Sequence, residues 1–165
     1  MNPRWHLIDE HEIVWLVADH AEQRRLCALL ESVADGLPDL PSGDRLRALE
    51  HQLSAYSQRH FVEESNLFLR LSKTAADGIS DRILREIRYN HAIDAIHADD
   101  LSAELNRLSE SRRAAHPAAL SYMLRCFFDG CRRAIAFEEL ARLKLAGNRL
   151  TPAARLAVRQ SFEAS

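Results

Sequence analysis

Apolar residues recur along this chain at alternating intervals of three and four, the period of a helix that buries one stripe. One seam runs Ile13, Leu16, His20, Gln23, Cys27, Leu30, Ala34. A second passes from Leu46 through Leu53, Tyr56 and His60 to Glu63 or Glu64, Leu67 and Leu71. A third runs from Leu84 through Ile87, His91, Asp94 and Ala98 to Leu108, and a fourth from Leu120 through Phe127, Cys131, Ala134 and Glu138 to Leu145. Nine of the ten glycine and proline residues fall at plausible boundaries between the seams. Gly36, Pro38, Pro41 and Gly43 mark one loop, Gly78 another, and Gly147 follows a helix end. Pro117 suits a first helical turn, where its missing N–H costs nothing. Thr151–Pro152 reads as an N-cap and first helical residue, and Asp9-x-x-Glu12 resembles a capping box. The pattern predicts helices over about 9–35, 44–75, 80–114 and 117–146, with a short one over 151–163. Short connections make successive helices antiparallel neighbours. The expected fold is all-α, an antiparallel up-down-up-down four-helix bundle with a short C-terminal fifth helix. It forms one domain over 1–165 with its core at about 9–146.

Composition agrees and narrows the function classes. A chain of 165 residues has room for one ordinary core. The 24 Leu and 24 Ala, against 15 Val, Ile and Thr together, favour helix over sheet. A formal net charge of −2 gives no basic excess, so nucleic acid is not an expected partner. The first residues carry no apolar signal core, and the longest apolar run, Ile13 to Ala18, is far short of the ~20 residues of a membrane span. The three cysteines, Cys27, Cys126 and Cys131, show no C-x-x-C spacing, which argues against a disulfide framework and for a reduced, cytoplasmic setting. Phosphate-binding glycine loops and nucleophile elbows are absent, so no catalytic residue is assigned. Arg142, Lys144, Arg149, Arg155 and Arg159 form a basic cluster that reads as an ordinary solvated helix end.

What changes the picture is where the seams are interrupted. His20, His60, Glu64, His91, Asp94 and Glu138 stand where apolar residues belong, and an up-down-up-down bundle lets them meet at one level. Ionised carboxylates buried there cost several kcal/mol each, by order of magnitude, unless paired or coordinated. His60-x-x-x-Glu64 puts an imidazole and a carboxylate one turn apart on one face, within reach of a common ion. Such mixed donors suit iron, manganese or zinc. A weak internal repeat selects the members. His20–Ala21 matches His91–Ala92, and the segment from His60 through Glu64 matches that from Ala134 through Glu138, pairing the two glutamates. The repeat calls for a histidine at 134, where the chain has Ala134.

These residues resemble the hemerythrin-like, or HHE cation-binding, domains over roughly residues 9–146. The features that carry the likeness are His20, the segment His60-Phe61-Val62-Glu63-Glu64, the pair Asn90-His91, and Ile135-Ala136-Phe137-Glu138-Glu139. The resemblance implies a four-helix bundle around non-haem iron, a di-iron centre in the family, with His20, His60, Glu64, His91 and Glu138 as ligands. It implies binding or sensing of dioxygen or another small diatomic ligand such as nitric oxide. The departure at Ala134 depletes one half of the site and leaves an open position, with one or two ions bound. Zinc or manganese is an alternative to iron. Asp94, Glu139 and Cys131 are weaker substitute ligands, Glu139 replacing Glu138 if the helix is rotated. Gly130, inside a helix beside the site, admits close packing or a ligand. His6, His11, His51, His97 and His116 have no matching spacing and are expected outside the site. Two other readings stand beside this one. One is a helical-bundle regulatory or interaction protein with a vestigial site and a protein partner. The other is a di-iron oxidase or an iron-repair protein.

Overall fold

The computed structural model describes residues 10–72, 78–146 and 151–163, and every regular element in them is helical. The helices are α1 (Glu10–Gly36), α2 (Gly43–Ser72), α3 (Gly78–Ser111), α4 (Pro117–Ala146) and α5 (Pro152–Glu163). Local chemistry sets several of these ends. Ser42 caps α2, its Oγ accepting the Arg45 N–H at 3.3 Å. Pro117 opens α4, as its fixed φ favours. The expected third helix reaches residue 114, but α3 stops at Ser111 because Arg112 takes a φ of 56° and closes the last turn by donating to Leu108 O. The proposed cap at Asp9 and the stretch 73–75 lie outside the described residues, as do the N-terminal arm and Gly147. No described helix is long and apolar enough to cross a membrane.

Helix pairing follows the seams. α2 packs against α3 and α1 against α4, with α3–α4 and α1–α2 contacts completing the set and α5 lying on α1. Residue numbers fall along α1 as they rise along α4. Asp35 meets Arg125, Glu31 meets Arg132, Gln23 meets Cys131, and His20 meets Arg142. The same opposition holds between α2 and α3, where Gly43 approaches Ser109 and Glu50 accepts from Ser102.

This geometry splits the bundle lengthwise. Leu30, Leu46, Leu53, Leu101, Leu105 and Phe127 fill one part of the core and are almost wholly buried. Each such side chain contributes roughly 1.5–3 kcal/mol relative to exposure. The seam polar residues His20, His91, Asp94 and Glu138 are buried in the other part. The apolar part supplies the stability that lets the polar part exist.

Gly43 shows how tightly the ends fit. A Cβ there would stand 2.8 Å from the backbone oxygen of Ser109, which cannot swing aside. The clash outweighs the ~1 kcal/mol of helix propensity that alanine gains over glycine. We expect Gly43→Ala to destabilise the fold by roughly 1–2 kcal/mol in chemical denaturation, with the helix content of the folded state unchanged. Wild-type stability or better would show that the two ends are not in contact.

Candidate functional site

Three of the five principal candidates meet. His20 on α1, His91 on α3 and Glu138 on α4 are all buried, and the carboxylate lies between the two rings. His91 Nε2 is 2.8 Å from Glu138 Oε1. His20 Nε2 faces the other oxygen, Oε2, at 3.3 Å, without a well-aligned hydrogen bond. One carboxylate thus spans imidazoles from two helices, one oxygen to each. His60 and Glu64 lie on α2, but their side chains, with that of Glu63, are outside the described residues.

Glu139 joins Glu138 beside His20 without any rotation of the helix. Both are inside: Glu139 Oε1 lies 3.4 Å from His20 Nδ1 and accepts from Arg24 Nη2 at 2.9 Å. Burial pushes the Glu139 carboxyl up, but hydrogen bonds from His20 and Arg24, with the charge of Arg24, outweigh it and hold the carboxyl below the ordinary glutamate range.

Arg142 corrects an expectation. Read as part of a solvated basic helix end, it is only 1% exposed and directs Nη2 at His20 Nδ1, 2.7 Å away. Asp19, next to His20, is also buried and accepts from Gln23 Nε2 at 3.0 Å. Both lie one position off the seam, Asp19 before His20 and Arg142 after Ala141. A strict three–four stripe leaves such flanking positions out, although a broad helix interface covers them. Their signal in the sequence is the pairing they permit: Glu139 and Arg142 are three apart, Asp19 and Gln23 four apart.

The weaker candidates fall elsewhere. Asp94 is buried, and a Cβ on Gly130 would stand 3.2 Å from its Oδ1, so Gly130 does admit a close approach. Both line a groove of about 510 Å³ between α3 and α4, together with Ala134, His97 and Phe137. His97, expected to be solvated, is partly covered in this groove. Cys131 packs beside Gln23 and Tyr56. His51 and His116 are exposed, as expected, while His6 and His11 are among the residues whose side chains are not described.

No family model matches the chain, and no curated protein or solved structure matches it.

The donors fit a metal in two respects. Bonds of roughly 2.1 Å at right angles put neighbouring donors roughly 3 Å apart, close to the His91–Glu138 and His20–Glu138 separations. Two neighbouring carboxyl side chains, Glu138 and Glu139, are both buried against the His20 ring, so oxygen and nitrogen donors stand together. Among the described residues, however, no three His, Cys, Asp or Glu side chains surround a common ion position. Arg142 is the opposing element. Its Nη2 lies 2.7 Å from His20 Nδ1 and 3.4 Å from Nε2, so it competes with a metal for the lone pair of the ring. To offer the Nε2 lone pair to a metal, His20 must hold its proton on Nδ1, where Glu139 Oε1 is the acceptor at hand.

Arg142→Met removes this competition. In the metal-free protein it removes the buried guanidinium from His20, leaves Arg24 as the cation on Glu139, and costs roughly 3 kcal/mol. It also raises affinity for ferrous iron or zinc about tenfold, since a like charge leaves the site. Calorimetric metal titration and thermal melts read the two effects separately. Loss of stability with no gain in affinity would mean that Arg142 is itself the cation the site was built around.

Proposed function

We propose that this chain is a hemerythrin-like non-haem iron protein that binds or senses dioxygen or another small diatomic ligand. His20, His60, Glu64, His91 and Glu138 are its ligands. The observation that carries this reading is the Glu138 carboxylate, held with one oxygen toward each of two imidazoles from different helices. A carboxylate between two ions needs that disposition, and the internal repeat pairs Glu138 with Glu64. In this reading the bundle is antiparallel, up-down-up-down, with a short fifth helix, and the protein is cytoplasmic. Iron held there would supply a coordination position for a diatomic ligand.

The chain's own residues shape that chemistry. His20 is approached at Nδ1 by both Glu139 Oε1 and Arg142 Nη2. The His91 half has Ala134 where the repeat calls for a histidine, so it has one donor fewer and holds metal more weakly. Occupancy is therefore unequal: one tight ion with one labile ion, or a single ion.

A second reading has its own support. Arg142 on His20 supplies a positive charge from the protein, as in a core whose histidines and glutamates pair with one another. The bundle would then be a regulatory or interaction protein whose site no longer takes metal.

Metal analysis of protein purified with iron, joined to absorption spectra before and after oxygen, separates the two. Under the iron reading the wild type retains iron through desalting, and Glu138→Ala and His91→Ala lose at least half of it. Oxygen changes the spectrum of the wild type. Two irons that both survive chelation would overturn the asymmetry. No bound metal at saturating iron, with an unchanged melting temperature, would overturn the iron reading and leave the paired core.

A further inference from the structure

Two helical turns from the His20–Glu138 contact, α1 and α4 bring two thiols together. Cys27 is 0% and Cys131 2% exposed, both belong to one buried core cluster, and the register that brings Gln23 to Cys131 and Glu31 to Arg132 sets the two positions opposite each other. Cys131 Sγ also lies 3.8 Å from Gln23 Oε1 and 3.8 Å from the Tyr56 hydroxyl. A cleft of about 360 Å³ between α1 and α2 is lined by Gln23, Leu26 and Tyr56, so the side chains that contact Cys131 form part of its wall. A molecule the size of a peroxide entering this cleft comes within one side chain of the thiol pair. The third cysteine, Cys126, is partly exposed and lines the groove on the α3–α4 side instead.

We propose that Cys27 and Cys131 are a two-electron redox site, which hydrogen peroxide or an alkyl hydroperoxide converts to a disulfide joining α1 to α4. The proposal does not rest on the iron reading.

The two sulfurs have different roles. The Cys131 side chain beside it, with the charge of Arg132, holds the Cys27 thiol below its ordinary range against the effect of burial. The neighbouring Cys27, burial and the negative charge of Asp94 push Cys131 well above the ordinary range. Cys27 is therefore the nucleophile and Cys131 the resolving thiol. The Cys27 thiolate attacks one peroxide oxygen. The O–O bond breaks, and the distal oxygen leaves as hydroxide or alkoxide and takes up a proton to become water or alcohol. Cys27 is now a sulfenic acid. Cys131 attacks its sulfur, the S–S bond forms, the S–O bond breaks, and hydroxide leaves as water with the Cys131 proton. Two thiols lose two electrons and two protons, and the peroxide gains them.

The test is a non-reducing peptide map of the full-length protein, reduced, exchanged into buffer, treated with stoichiometric hydrogen peroxide and then alkylated. The expected result is a Cys27–Cys131 linked peptide, free thiols falling from three to one, and Cys126 alkylated. Cys126→Ser retains the link, and Cys27→Ser abolishes it. Protein stripped with a chelator forms the same link, so failure here is read apart from failure to bind iron. Peroxide consumed with Cys27 and Cys131 both still alkylatable would overturn the proposal. So would a first disulfide formed through Cys126 between two copies, or a link that requires bound iron. If Cys27→Ser does not fold, the map of Cys126→Ser decides alone.

Discussion

The constraint on which this bundle turns is the burial of charge around His20. Glu138, Glu139 and Arg142 all contact one imidazole that is wholly buried. A lone carboxylate there would be untenable, because its desolvation exceeds what an apolar neighbour returns. Each group is tolerated only because the others are present: Glu138 and Glu139 stand side by side on α4, Arg142 follows one turn later, and the imidazole comes from α1. Helix register is therefore fixed by electrostatics at one end of the molecule. Sliding α1 by one turn against α4 would carry His20 away from both glutamates and from Arg142. Apolar packing alone is more forgiving of such shifts.

The two parts of the core divide the labour accordingly. The leucine-rich end, with Leu30, Leu46, Leu101 and Phe127, gives cohesion that depends on volume rather than on particular atoms. Toward α1 and α4 it is bordered by the surface pairs Asp35–Arg125 and Glu31–Arg132, the latter with Arg132 over the Phe128 ring at 5.0 Å. Exposed pairs of this kind add little to stability, but they agree with the register that the buried charges set. Between the two ends sits the Cys27–Cys131–Gln23–Tyr56 layer, neither apolar nor strongly charged, where burial holds the Tyr56 hydroxyl well above its ordinary pKa. Polarity thus rises in steps along the axis, from hydrocarbon through thiol and hydroxyl to ionised groups.

Much of this is legible in the sequence, for a stated reason. A helix that buries a narrow stripe must repeat every three or four residues, and a polar residue on that stripe is costly enough to stand out. Hence His20, His91, Asp94 and Glu138 are found, and the helix limits fall within a few residues of those expected, the largest difference following from the left-handed Arg112. Asp19, Glu139 and Arg142 are harder because they flank the stripe. Whether a flanking position is covered depends on how closely the partner helix approaches, and a one-dimensional period does not encode that distance. The thiol pair is hidden for a related reason. Local spacing such as C-x-x-C reports cysteines brought together within one turn, whereas Cys27 and Cys131 are joined only through the register of α1 against α4.

The same register explains why Ala134 is not simply a missing ligand. On the α1 side of α4 the core is crowded, with Arg142 and Glu139 filling the space around His20. On the α3 side, Gly130 and Ala134 present almost no side chain, and the groove of about 510 Å³ runs past them to Asn90 and Phe137, the chain neighbours of His91 and Glu138. A histidine at 134 would narrow that groove. The Asp94 Oδ1 lies against Gly130, one turn from Ala134 along α4. The small residues thus act together: one lets α3 and α4 approach at Asp94, and the other leaves room beside the His91–Glu138 contact. An exchangeable molecule bound for that contact has its open approach along α3 and α4, opposite the side that Arg142 closes.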